Sequence, residues 1–248
     1  MFRRLHFAVA VLVVAVFGGC ASLPLGADFP RTASLVLAHP EQTRLGRRFE
    51  AASLAHQGNS GFRIIPAGAD GFLTRMQMIN AAERTLDLQY FIFRGDETGL
   101  LLTGAVLCAV DRGVRVRVLI DDGEMEPGDE QIMALVAHRS VEIRIFNPFA
   151  YRGHSMLLRA TEFMFNASRL DYRMHNKLFV VDNAIALIGG RNIGDEYFQI
   201  DPGSQFTDED VFAAGPVAQR LSSTFDEYWN NPLSIPAGAF AGRLRFFW

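Results

Sequence analysis

Hydrophobic and polar positions set two rhythms along the chain. From 21 to about 60 the pattern is weak and broken by Pro24, Pro30 and Pro40, so this stretch reads as an arm or tether with some helix over 43–56. From 61 onward the rhythm sharpens. "GFRIIPAG" (61–68) predicts a short strand and a turn. Phe72, Met76 and Ile79 recur at helical spacing, with Leu73 and Ala82 widening the apolar face. "TLDLQYFIF" (85–93) reads as a strand, and "ETGLLLTGAVLCAVDRG" (97–113) as a helix apolar nearly all round and closed by Gly113. "VRVRVLIDD" (114–122) alternates and then turns apolar, as a buried strand does.

The alternation continues. "GDEQIMALVAHR" (128–139) predicts a helix and "VEIRIFNP" (141–148) a strand, before an irregular, partly helical insertion over 148–173. "HNKLFVVD" and "AIALIGG" predict two strands joined at Asp182–Asn183 by a tight turn. "DVFAAG" (210–215) is another strand, and Val217, Leu221, Phe225, Tyr228 and Trp229 mark a last amphipathic helix. Alternating strands and helices point to the α/β class, with a mainly parallel sheet covered by helices on both faces. In such sheets ligands bind beyond the carboxyl ends of the strands.

Composition adds a location. The chain has 248 residues, 49% of them hydrophobic, and a formal net charge of −3. This supports a sizeable core but advertises no broad basic face, so nucleic acid is not an expected partner. Two cysteines make no disulfide framework, and Cys108 falls in an apolar helix as a small core residue. Residues 1–19 open with Arg3 and Arg4 and continue with an apolar run over 7–17, too short to span a bilayer, which takes ~20 residues. Small residues and Cys20 follow. The stretch reads as a lipoprotein-type signal peptide with Cys20 the lipidated residue, although Phe17 stands where such signals usually carry Leu; the other readings are an uncleaved anchor and a buried helix of the fold. The first two put the chain at the membrane of a bacterial cell envelope. The expected organisation is a leader (1–19), an arm (20–60), a folded domain (61–231) and a tail (232–248).

The chemistry concentrates in "MHNKLFVVDNAIALIGGRNIGDEYF". His175 and Lys177 are two apart, so a strand would project both into one pocket. A lysine supplies fixed positive charge for a phosphate oxygen, and a neutral imidazole is a nucleophile or a general acid/base near neutral pH. Asp182 is at odd spacing from both and would face the other way, as a buttress of the strand end and turn. Gly189 and Gly190 allow a backbone to pass close to a ligand. Asn192 adds an amide donor.

The pattern His175-x-Lys177-x4-Asp182-x6-Gly189-Gly190-x-Asn192 resembles the signature of the phospholipase D superfamily. The segments "LDLQYFIFRGDETGLLL", "RGVRVRVLIDD", "EIRIFNPF" and "DVFAAGPV" are similar to the bacterial cardiolipin synthase C-type branch, over about 60–231. The resemblance implies an α-β-α sandwich half-domain, with His175, Lys177 and Asp182 as the catalytic motif. It implies phosphatidyl transfer or phosphodiester hydrolysis on membrane phospholipids through a phosphohistidine, without metal or cofactor. Lys177, Asn192 and Gly190 would bind the substrate phosphate. An acid on a following strand would orient the histidine; Asp210 matches that position, and Asp208 and Glu209 compete with it.

The chemistry needs two histidines, and this chain carries one such motif, where members of that branch are about twice as long and carry two. His138 and His154 lack the following Lys and Asp. The second imidazole would come from a homodimer, with Phe246–Phe247–Trp248 as an apolar interface, or from a missing second half-domain. A phosphodiesterase of another substrate class, such as a nuclease, and an inactive half-enzyme are the competing readings.

Overall fold

The computed structural model describes residues 24, 26–124, 140–151, 153, 155–200, 203 and 206–240. The expected leader, Cys20, the helix over 128–139, His138, His154 and the last three aromatic residues lie outside them.

The elements run α1 (Arg44–Ala55), β1 (Gly61–Ile65), α2 (Gly68–Ala81), β2 (Thr85–Tyr90), α3 (Glu97–Asp111), β3 (Arg115–Asp121), β4 (Val141–Phe146), α4 (Met156–Leu170), β5 (Leu178–Val181), β6 (Ile185–Gly189), β7 (Asp210–Ala214), α5 (Pro216–Trp229) and β8 (Ser234–Pro236). The eight strands form one sheet in the order β1-β7-β6-β5-β2-β3-β4-β8. The α/β class and the helix cover on both faces hold. One cluster joins Met78, Ile79, Leu102 and Val106 of α2 and α3 to the sheet; the other joins Ala218, Phe225 and Trp229 of α5 to its opposite face.

The expectation of a mainly parallel sheet is corrected. Among the strand pairings of the described residues, β2–β3 and β3–β4 are parallel and five are antiparallel. The helix-linked unit β2-α3-β3 and the neighbouring β4 build the parallel centre. The hairpin β5–β6 and two strands returning from far along the chain, β7 and β8, flank it. That hairpin turns through Asp182 and Asn183, both at φ 53°, as a primed two-residue turn requires. β8 pairs with β4, and Phe240 beyond it is fully buried, so the folded body continues past the expected boundary at 231.

Two helix faces differ from expectation. Cys108 is exposed, because Leu102, Val106, Ala109 and Val110 are the residues of α3 that meet the sheet and Cys108 lies on the other side. On α2, Leu73 points outward while Arg75 is 2% exposed. The helix is rotated to bring Arg75 over the sheet, for a reason that belongs to the site.

The arm is bound rather than loose where it is described. Ser34 and Val36 donate backbone N–H groups to Asn230 Oδ1 and Asp226 Oδ2 of the α5 region. Arg117 and Arg144, from the sheet, donate to the carbonyls of Ser34 and Thr32.

Candidate active site

His175 and Lys177 precede β5 at the edge where β2 and β3 end. The register places Leu178 opposite Gln89, the penultimate residue of β2. β6 ends and β7 begins at this same edge, with Gly189 opposite Asp210. The pair therefore lies beyond the carboxyl ends of the parallel strands.

His175 is exposed and Lys177 buried. Lys177 Nζ lies 2.9 Å from His175 Nδ1 and donates to His175 O at 2.7 Å. The His175 ring packs on Phe91 at 4.6 Å between centroids, and Lys177 Nζ sits 5.5 Å from that same ring. Partial burial and the charge of Lys177 push the His175 pKa below its ordinary value, which favours the neutral imidazole. Burial lowers the Lys177 pKa as well, against the opposing pull of the Asp208 carboxylate.

A second acid fixes the approach to His175. Asp121, at the end of β3, accepts the Met174 N–H at 2.7 Å, the Gly123 N–H at 2.6 Å and Arg173 Nη1 at 3.0 Å. Burial nevertheless pushes its pKa up to about 6, against the charge of Arg173. The folded chain thus keeps this proton to higher pH than the ordinary value of 3.8. The linked stability is fully present below that value and is lost as pH rises through about 6. A carboxyl-carbon NMR titration of Asp121 should show its midpoint there; a midpoint in the ordinary carboxylate range would contradict this environment.

The remaining candidates divide. Asp182 lies at the far end of β5 from His175, fully buried, and accepts the backbone N–H groups of Glu83, Arg84 and Thr85 at 2.8–3.0 Å. It fixes the start of β2, so the motif's carboxylate belongs to the scaffold and does not touch the reacting atoms. Asn192 accepts the Ile92 N–H at 3.0 Å and donates to the Tyr197 hydroxyl at 2.9 Å. One of its amide hydrogens is therefore committed within the protein.

Gly190 is corrected as a phosphate cradle: its N–H donates to Glu209 O at 3.1 Å. A Cβ at Gly190 would overlap the Asp208 carboxylate, and one at Gly189 would overlap Glu209 O and Asp210. The glycines admit the incoming β7 segment. Asp210 is corrected as the histidine's partner. It accepts from Arg75 Nη1 at 2.8 Å and Nη2 at 3.3 Å, and from Arg191 Nη1 at 3.3 Å, with all three residues buried. Arg75 faces inward for this contact, and its Nε donates to the Tyr90 hydroxyl. Sequence reasoning missed Arg75, Arg191, Asp121 and Phe91. The acids at the end of "VRVRVLIDD" offered a signal, since that is where ligands gather; Arg75, on a helix far from the motif, offered none.

A mixed sheet between helical layers, with a His-x-Lys pair at its edge, is the architecture of a phospholipase D-like domain. A family model described as "Cardiolipin synthase, PLD-like domain" matches residues 76–229, and the chain belongs to that family. It is 41% identical over 197 residues to cardiolipin synthase C of Escherichia coli, covering 76% of this chain and 41% of that protein. An uncharacterized protein of Helicobacter pylori is 35% identical, over 91% of this chain and 44% of its own length. The chain thus spans less than half the length of these relatives. Nuc from Salmonella typhimurium, a phospholipase D family member, shares the fold with a TM-score of 0.53 at 15% identity, over 72% of this chain and 98% of its own.

Proposed function

We propose that this chain supplies one histidine and one phosphate-binding lysine to a two-histidine site that transfers a phosphatidyl group between alcohols, or to water, on membrane phospholipids. The observation that carries the reading is the His175–Lys177 pair, a neutral imidazole beside a buried ammonium. The kinship with cardiolipin synthase C supports the lipid substrate.

In the first step an imidazole nitrogen attacks phosphorus. The new P–N bond forms as the P–O bond to the departing alcohol breaks, and that oxygen takes a proton from the second imidazole. In the second step the acceptor alcohol or water gives its proton back to that imidazole and attacks phosphorus, and the P–N bond breaks. Lys177 holds the charge that gathers on the non-bridging oxygens.

The free site is latched. While Lys177 Nζ donates to Nδ1, the ring proton of a neutral His175 sits on Nε2. A phosphate oxygen competes for that ammonium. Once Lys177 turns to it, the ring proton can move to Nδ1 and expose the Nε2 lone pair. An acid must then receive the Nδ1–H. With Asp210 held by two arginines, Asp208, whose charge already acts on Lys177, is the candidate for that role.

The second imidazole comes from a second copy or from another half-domain of the two-motif plan. Lipidation of Cys20 holds the body at a bacterial envelope membrane; among the described residues no helix is long and apolar enough to cross one. Peptide mass spectrometry after alkaline quenching, under conditions of measured turnover on phosphatidylglycerol vesicles, should find the phosphatidyl adduct on His175. Turnover with adduct on another residue, or with none, would overturn the mechanism.

A further inference from the structure

α4 is inside out. Its charged residues and Asn166 recur at 159, 162, 166 and 169, the helical spacing normally kept for a buried apolar stripe, and they face the body, while the small polar Thr161 and Ser168 lie outward among the apolar side chains. Arg159 donates to the carbonyls of Asp122 and Gly123. Glu162 accepts the N–H groups of Ala150 and Tyr151 at 2.6 and 2.8 Å. Arg169 donates to Asn147 Oδ1 at 2.6 Å and Pro148 O at 3.0 Å. The outward positions carry the apolar side chains. Met156 is 86% exposed, Leu157 76%, Met164 78% and Phe165 70%, with Leu158 and Phe163 beside them. No charged residue stands among the outward positions of the helix.

Such a face is built to be covered, since isolated apolar residues are ordinary on a surface but a contiguous patch marks an interaction site. Three features favour a bilayer as its cover. The helix bends at Asn166, where the backbone leaves helical φ/ψ, and is at most roughly 22 Å along its path, too short to cross a membrane but suited to lying in its surface. It is continuous with the catalytic segment: α4 ends at Leu170, and His175 follows after four residues, of which Tyr172 is exposed and Arg173 and Met174 are tied to Asp121. On the lipid-substrate reading proposed above, the phosphorus must reach His175 while the acyl chains stay in the bilayer, so the apolar surface beside the pocket has to meet it.

We propose that the outward face of α4 docks in the surface of a phospholipid bilayer and sets His175 at headgroup depth. This rests on the lipid-substrate reading and adds the surface that presents the site. The polar stripe then works as a mount, holding the helix rigidly by its hydrogen bonds so that its apolar face stays outward.

The test places an environment-sensitive fluorophore at Met164→Cys in the full chain, with Cys20 and Cys108 exchanged for Ser so that one site reports. The protein is mixed with phosphatidylglycerol–phosphatidylethanolamine vesicles bearing nitroxides on their acyl chains. A matched label at Glu142→Cys, exposed at the opposite end of the parallel strands, shares any attachment through the N-terminal residues. The proposal expects blue-shifted emission and severalfold stronger nitroxide quenching at 164 than at 142. Equal quenching at the two positions overturns it. So does a blue shift that rises with protein concentration and needs no vesicles, which would make a second copy the cover. The same measurement on His175→Ala separates this proposal from the catalytic one: quenching at 164 persists there, while turnover is lost. Quenching at 164 together with no phosphatidyl transfer, in an assembly that holds both imidazoles, would sustain the docking and remove the catalytic reading.

Discussion

Purified His175→Ala protein should turn over no lipid, in whatever assembly makes the unaltered chain active. The reaction in the proposed site runs through a covalent bond to that imidazole, and no neighbour replaces it: Lys177 is held for charge, and the ring of Phe91 has no lone pair. Lys177→Ala should be less complete, a loss of about 10²–10³ in kcat, the usual cost of removing one donor that stabilises transition-state charge. It should also raise the His175 pKa, since the lysine's charge is one of the two causes that hold it down. The imidazole proton shift by NMR, measured beside turnover, checks both effects. Substantial turnover by His175→Ala would remove the histidine from the mechanism. A Lys177→Ala protein with unchanged His175 titration would show that the pair is not electrostatically coupled.

Asp210→Asn should unfold the site rather than slow it. The carboxylate is fully buried and is the counter-charge for two buried guanidinium groups, Arg75 at 2.8 Å and Arg191 at 3.3 Å. Removing one partner of a buried ion pair typically costs about 3–5 kcal/mol, because the other charge stays in low dielectric without compensation. The amide keeps the shape of the side chain and loses only its charge, so the loss reads electrostatics. A urea-unfolding free energy lower by that amount is expected, with Arg75→Met in the Asp210→Asn background recovering part of it. A variant of unaltered stability with lost turnover would return Asp210 to the histidine-orienting role. The contrast with His175→Ala is informative: His175 is exposed, so its removal should leave the denaturation midpoint nearly where it was.

These two residues also show what the sequence made legible. His175 and Lys177 are two apart on a strand-like run, so local periodicity alone puts them in one pocket. Most strands were readable for the same reason: "TLDLQY" and "VRVRVLID" are long, branched and bounded by turn signals, and Asp182–Asn183 announces its hairpin. Sheet pairing was not readable in that way. β7 reaches β1 across about 150 residues, and no local pattern encodes which edge a returning strand joins. Asp210 was misassigned by the same blindness. Its position at a strand start was correct, but its partner Arg75 lies 135 residues earlier on a helix whose apolar periodicity pointed the other way. The insertion over 148–173 read as irregular or partly helical, without its inward face, because its helix inverts the usual rule, with charged residues inward. Gly189 and Gly190 were correctly singled out as positions of close approach; what approaches is the protein's own β7 segment, a distinction that no sequence spacing carries.

The bound arm has a consequence for motion. Ala27 packs against the main core, and from Thr32 onward the arm is hydrogen-bonded to the sheet and α5. If Cys20 carries the lipid, only about four residues separate the anchor from the buried Pro24, a reach of roughly 14 Å at full extension. The body is then on a short mooring line. It can roll and pitch against the lipid surface but cannot drift a body's width from it. The pocket's supply of substrate would be set by orientation, because encounter is already guaranteed by the tether.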